Sequence, residues 1–199
     1  MNRRFGFVTS LTAMLLMPGT VSAASATVSV KDNQFLNSSP TIDFGDFVAW
    51  TCNLDTNNPH TATSNTLNDN PFDISLPPDC GTSTGVNFAR AGSFGYHCEI
   101  HGSMRGTIAV RMMSSDTSPN VNQLITLTFA TSGAPSGFTE IIQKRKAGGT
   151  WRLFKKSTGT SVTWTPPKAK TFEFRARLKR LSDGAVTGWS PVLSLTVSP

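Results

Sequence analysis

Phe94-Gly95-Tyr96-His97-Cys98-Glu99-Ile100-His101-Gly102-Ser103-Met104-Arg105-Gly106 is the stretch on which the reading of this chain turns. Its first five residues alternate. Phe94, Tyr96 and Cys98 fall on one side of an extended strand, Gly95 and His97 on the other. The aromatics mark the shared side as the core face, so Cys98 points inward at the strand's end and His97 points outward. A buried thiolate there needs a metal or a partner. His101 follows Cys98 by three residues and Met104 follows by three more. A tight loop therefore carries an imidazole and a thioether back over the sulfur, and Gly106 to Arg111 closes the motif as a further strand.

The same alternation recurs elsewhere. Thr27 to Val30 and Phe47-Val48-Ala49-Trp50 read as strands, and Gly85 to Arg90 leads into the motif. Asn68 to Asp79 is rich in Asn, Asp and Pro and reads as a long loop. Further on, Ile125, Leu127 and Phe129 alternate with threonines. Phe172, Phe174, Ala176 and Leu178 alternate with Glu173, Arg175, Arg177 and Lys179, and Leu193, Leu195 and Val197 alternate with Ser194 and Thr196. These are half-buried strands with one wet face. Helix signals are scarce, and the expected fold class is all-β.

Arg3 and Arg4, the apolar run Phe5 to Met17 and the small-residue signatures at Val21-Ser22-Ala23 and Ala24-Ser25-Ala26 read as an export signal over residues 1–23, cut after 23 or 26. The apolar run is too short to span a bilayer, and no other stretch is long enough. The expected location is periplasmic or secreted. There, three cysteines leave one thiol over once disulfides form. Cys98 belongs to the motif, so Cys52 and Cys80 are the natural pair, the alternative being two buried free thiols.

Charge divides the chain. Residues 24–115 hold four Lys/Arg and eight Asp/Glu, a net −4, whereas residues 116–199 hold twelve and four, a net +8. A break this abrupt predicts two domains, 26–111 and 120–198, joined by a polar, proline-containing linker over 112–119.

A thiolate, an imidazole and a thioether within seven residues, joined by an imidazole from an upstream loop, make the ligand set of a blue-copper electron-transfer site. The chain has three histidines. With His97 outward, His101 and His60 remain, and His60 follows Asn57-Asn58-Pro59 in a loop after the Trp50 strand. Cysteine and two histidines also suit zinc, but Met104, a poor zinc ligand, tips the choice to copper. The sequence carries no nucleophile–base pair, P-loop or dinucleotide fingerprint. An oxidase or nitrite reductase would need a second copper centre, for which only His97 is left over. The chain reads as a carrier or metal-binding protein, not an enzyme.

At these residues the chain resembles the plastocyanin and amicyanin group of the cupredoxin family, over roughly residues 26–111. The Cys-x2-His-x2-Met spacing is most similar to amicyanin. The resemblance implies an eight-stranded Greek-key β-sandwich and one type 1 copper per chain. His60, Cys98 and His101 would form the trigonal plane, with Met104 as a weak axial ligand. It also implies that His101 lies near the surface, flanked by Gly102, Ser103 and Arg105, and passes its electron to a redox partner docked there. Two departures stand out. Thr61 follows the first histidine where the family usually has Asn, so its hydroxyl or backbone must tie the ligand loops together. Ile100 stands where the family often has Pro, and it keeps a backbone N–H that can reach the thiolate.

Residues 120–198 resemble a fibronectin type III domain, through Thr171-Phe172-Glu173-Phe174-Arg175-Ala176-Arg177 and Gly188-Trp189-Ser190-Pro191. Phe172 replaces the usual corner Tyr, and Phe129 stands where the family commonly has Trp. Such modules bind or space other proteins. The function expected is an exported type 1 copper protein in one-electron transfer. The alternatives are a copper storage or delivery protein, and an adhesion or interaction module with a structural metal site. The basic residues Lys144-Arg145-Lys146, Lys155, Lys156, Lys168, Lys170 and Arg175 to Arg180 read either as a solvated face or as a patch for an anionic partner or surface. Nucleic acid is not expected for an exported chain.

Overall fold

The computed structural model describes residues 25–52, 56–65, 71–82 and 85–199. The expected export signal lies outside the described residues. Among them the chain is all-β, and no helix is long and apolar enough to cross a membrane. Among the described residues nine strands precede Met112: β1 (Ser25–Lys31), β2 (Gln34–Leu36), β3 (Thr41–Asp43), β4 (Phe47–Cys52), β5 (His60–Ser64), β6 (Asp73–Leu76), β7 (Val86–Asn87), β8 (Gly92–His97) and β9 (Arg105–Arg111). They form two sheets, β2-β1-β4-β7 and β3-β9-β8-β5-β6. One core lies between them, built on Val28, Val30, Val48, Trp50, Phe94, Tyr96, Ile108 and Val110. The alternation in β8 is as expected: Phe94, Tyr96 and Cys98 are buried, and Ser93, Gly95 and His97 are not.

Seven strands follow: β10 (Met113–Ser114), β11 (Ile125–Thr128), β12 (Phe138–Lys146), β13 (Arg152–Ser157), β14 (Ser161–Trp164), β15 (Thr171–Arg180) and β16 (Leu193–Thr196). They too form two sheets, β10-β11-β14 and β13-β12-β15-β16, around a second core. Trp164 sits in that core with ring contacts of 4.9 Å to both Phe172 and Phe174. Each large side chain buried in these cores contributes about 1.5–3 kcal/mol.

Two stretches differ from the sequence reading. Asn68 to Asp79 is not a loop throughout, because Asp73–Leu76 pairs along β5 as β6. Leu76 is fully buried and Ile74 packs against the first core, which outweighs the turn-forming composition around them. Residues 112–119 do not hang free either. Met112 is buried in the second core, and Met113 and Ser114 pair with Thr128 and Leu127.

The two sandwiches are joined by more than this stretch. Ser93 and Gly188 exchange both backbone hydrogen bonds at 3.0 Å. A Cβ at Gly188 would come within 2.7 Å of that of Ser93, so only glycine fits there. Ala91 N–H donates to Phe129 O, and Thr131 N–H to Ala89 O. Beneath them Arg90, 3% exposed, pairs with Glu140, 0% exposed, at 3.3 Å. Arg90 also donates to the carbonyls of Ser132 and Gly133.

Cys52, at the end of β4, is bonded to Cys80, with S–S 2.03 Å and 28 residues between them in sequence. Cys98 is the free thiol, and it is buried. Closing a loop of this length stabilises by about 3.5 kcal/mol on the chain-entropy account. Reduction under native conditions is expected to lower the urea midpoint of the full chain by a matching amount. An unchanged midpoint in the fully reduced protein would contradict this.

Candidate metal centre

Three side chains converge at one end of the first sandwich. β8 ends at His97, and Cys98 continues its inward face, 1% exposed. The next residues fold back at once. Cys98 N–H donates to Met104 O at 3.0 Å, Met104 N–H donates to His101 O at 2.9 Å, and Arg105 Nε donates to Gly102 O. The chain then leaves as β9, with Arg105 opposite His97. This closure sets His101, half-buried, and Met104, 2% exposed, against the cysteine.

His60 arrives from elsewhere. It opens strand β5 rather than lying in a loop, and β5 runs antiparallel to β8 with Thr63 opposite His97. That register brings His60, 1% exposed, to the cysteine end of the sheet. The Nδ1 atoms of His60 and His101 stand 4.0 and 3.7 Å from Cys98 Sγ. All three ligand atoms lie within 4.8 Å of one another. The two imidazole rings are 4.6 Å apart.

The surroundings hold these groups in place. Thr61 N–H donates to Cys98 Sγ at 3.4 Å, while Thr61 Oγ1 accepts from Glu99 N–H at 2.9 Å. Thr61 thus ties the two ligand segments with both backbone and hydroxyl. Among the described residues, no bond runs from Ile100 N–H to the sulfur. Ile100 is instead 54% exposed beside His101.

On the far side of His60, Nε2 stands 3.7 Å from Asp32 Oδ1, an electrostatic contact beyond hydrogen-bond reach. Asp32 is itself fixed by Asn57 N–H and Asn58 N–H. The Asn58 N–H bond, with Asn57 adding to it, holds the Asp32 carboxyl below its usual range. Burial pushes the His60 pKa down, His101 pushes the same way, and Asp32 opposes them. The neutral imidazole, the form that offers a lone pair to a metal, is therefore favoured. His97 faces away, its Nδ1 2.9 Å from Asn65 Oδ1.

The structure thus brings His60, Cys98 and His101 together and buries Met104 in the loop that closes over them. Sequence reading did not find Asp32, which lies in the β1–β2 turn. An Asp-Asn pair at a turn signals only the turn.

The donor set fits a small, thiophilic cation. Bonds of about 2.1 Å to nitrogen and 2.3 Å to sulfur in a trigonal plane put N and S about 3.8 Å apart, close to the 3.7 and 4.0 Å seen.

Beneath the loop, Gly106 lies opposite Tyr96 in the β8–β9 ladder, and a Cβ on it would clash with the phenol end of the Tyr96 ring. That ring is 1% exposed, and its hydroxyl donates to Ser38 O, so it has little room to swing aside. Gly106→Ala is expected to cost about 1–3 kcal/mol by overpacking, a fall of roughly 2–12 °C in Tm for a chain of this size. A melt unchanged within 1 °C would contradict this.

No family model matches the sequence, and no curated protein matches it. Among solved structures, a reduced Cu(I) form of an amicyanin mutant at pH 4 is 20% identical, with a TM-score of 0.39, and covers 46% of this chain and 87% of its own. The amicyanin of Paracoccus versutus (Thiobacillus versutus) is 26% identical, with a TM-score of 0.38 over 46% of this chain and 86% of its own. A further amicyanin mutant in the Cu(I) form gives 21% and 0.39 over the same 46%. The likeness spans less than half of the chain.

Proposed function

We propose that residues 26–111 form a cupredoxin-like domain holding one type 1 copper through His60, Cys98, His101 and Met104, and that the chain is a one-electron carrier rather than an enzyme. The observation that carries this reading is the pair of imidazole Nδ1 atoms facing a buried thiol at 3.7 and 4.0 Å. Copper, when bound, supplies a one-electron couple. The protein's part is to keep the ligands still. His60 is buried and backed by Asp32, Cys98 is held by its backbone bond to Met104, and Thr61 N–H draws charge from the sulfur. A hydrogen bond to the thiolate stabilises the electron-rich form of the site and raises its potential. His101 is half-buried at the rim, with Ile100, Gly102 and Ser103 exposed around it, and this is where a redox partner would dock. In the same reading the chain is exported to the periplasm or beyond, and residues 120–198 are a fibronectin type III-like module.

The test is a Cu(II) titration of the full chain followed by its visible spectrum. The expected result is one equivalent bound, with an intense thiolate-to-copper band that disappears in Cys98→Ser. A colourless complex, or tighter binding of zinc than of copper, would overturn the assignment. Reversible voltammetry then separates a carrier from a storage or delivery protein, which would release the metal to a competing chelator.

A further inference from the structure

On the outer face of the sheet β13-β12-β15-β16, arginine and tryptophan side chains stack in alternation. The Arg145 guanidinium lies 4.3 Å from the Trp151 ring centroid, and Arg175 lies 4.3 Å from the same ring. Arg175 is also 4.2 Å from Trp189, and Arg177 is 4.1 Å from it. β15 supplies Arg175 and Arg177 from its outward positions. Arg145 comes from β12 opposite Glu173, one outward step earlier, and Lys179 continues one step later. Outward positions on a strand repeat every ~6.7 Å, so four cations stand in a line. Lys156 flanks them, since Lys156, Ile141 and Arg177 form one row across three strands.

Little neutralises this line. Glu173 pairs with Arg145. Arg175 donates to Gln143 Oε1, a neutral acceptor, at 3.0 and 2.7 Å. Among the described residues, no carboxylate forms an ion pair with Arg175 or Arg177, and Arg177 Nε is buried without a hydrogen-bond partner. The fold thus holds guanidinium groups side by side against their mutual repulsion. Burial lowers both pKa values, and for Arg175 the charges of Arg145 and Arg177 add to it. At the Arg145 end the line reaches a recess of about 420 Å³ lined by Lys144, Arg145, Lys146 and Arg152, and none of its lining residues is acidic.

We propose that this arginine–tryptophan line is a binding face for an anionic polysaccharide carrying sulfate, phosphate or carboxylate groups at intervals along its length. Stacking against the indoles fixes the arginine side chains in advance, Arg175 between two of them and Arg145 and Arg177 against one each, so less rotamer freedom is lost when their N–H edges meet an anion. The indole faces are already covered by guanidinium groups, Trp151 by Arg145 and Arg175, Trp189 by Arg175 and Arg177. They are therefore closed to the base stacking on which single-stranded nucleic-acid binding relies. The Cys52–Cys80 bond belongs to oxidising compartments, where such polymers occur. None of this depends on the copper reading.

The test measures binding of the full chain to heparin and dextran sulfate fragments at about 150 mM salt. Arg175→Gln with Arg177→Gln is expected to weaken binding about tenfold or more. Lys156→Gln with Lys179→Gln, a milder surface pair, is expected to weaken it several-fold with an unchanged melt. The second pair keeps the test decisive if the first impairs folding. Lys31→Gln with Arg111→Gln removes the same charge from the first sandwich and is expected to leave binding within twofold. Three results would each overturn the proposal: no binding by the unaltered chain, equal losses in the control pair, or tighter binding to oligothymidylate or to anionic phosphatidylserine vesicles at the same salt.

Discussion

Glu140→Ala is expected to destabilise the chain by about 3–5 kcal/mol, because it removes the buried carboxylate that faces the Arg90 guanidinium in a dry interior. Both groups are essentially sealed from water. The carbonyls of Ser132 and Gly133 would still accept from Arg90, but dipoles do not replace a full charge. Breaking a buried pair costs more than the pair itself contributes, so removing both charges is expected to restore most of the loss. Arg90→Met with Glu140→Leu serves as that second variant, and urea unfolding of the single and double variants measures it. A single-variant loss below 1 kcal/mol would mean that water reaches the pair, and a double variant no better than the single would mean that shape, not charge, is at stake. Arg90 belongs to the first sandwich and Glu140 to β12 of the second, so probes in both halves should shift together.

Trp50→Ala is expected to cost a similar 3–5 kcal/mol, by a different route. Trp50 is 0% exposed at the centre of the first core, with the rings of Phe72 and Tyr96 at 5.2 and 5.3 Å. Deleting the indole leaves a cavity that Tyr96, on β8, and Phe72, just before β6, cannot fill by small movements. Tyr96 is two residues before Cys98 on the same face of β8, so its slack reaches the thiol directly. Trp50→Phe keeps a ring in place and should lose markedly less than the alanine variant. Equal losses for the two would show that the cavity is not the cause.

Local pattern carried the motif strand and its loop. Phe94, Tyr96 and Cys98 alternate because a pleated strand has two faces, and that period is written in consecutive residues. Thr61 is legible as a tie between the two segments only through the resemblance, in which an Asn after the first histidine does that work; the sequence does not choose between hydroxyl and backbone, and both are used. Other features depend on register between distant strands, which leaves no period. Asp32 meets His60 only because β5 begins near the end of β1, and Arg145 meets Trp151 and Arg175 only through the β12–β15 pairing. Trp164 and Trp189 are single aromatics in their segments, and Trp151 has only Phe154 nearby, so no local alternation separates the core tryptophan from the two stacked outside. β6 and β10 failed for another reason. With four and two residues, they are too short to outvote Asn, Pro and Ser neighbours, and they exist because a partner strand and an apolar core are already there.

The backbone exchange between Ser93 and Gly188 has a mechanical side. β8 leaves that clasp and reaches Cys98 five residues later, about 17 Å at the rise of a strand. Trp189, one rung of the arginine line, is the residue after Gly188. The second sandwich is therefore a rigid bracket for the His101 rim, mounted at the opposite end of the same strand. A molecule captured by its basic face would hold that rim at one standoff and one heading, where a flexible tether of equal length would let it sweep through a sphere. Spread as a film on an anionic electrode, such molecules would align, and on the proposed copper reading they would exchange electrons at a single rate.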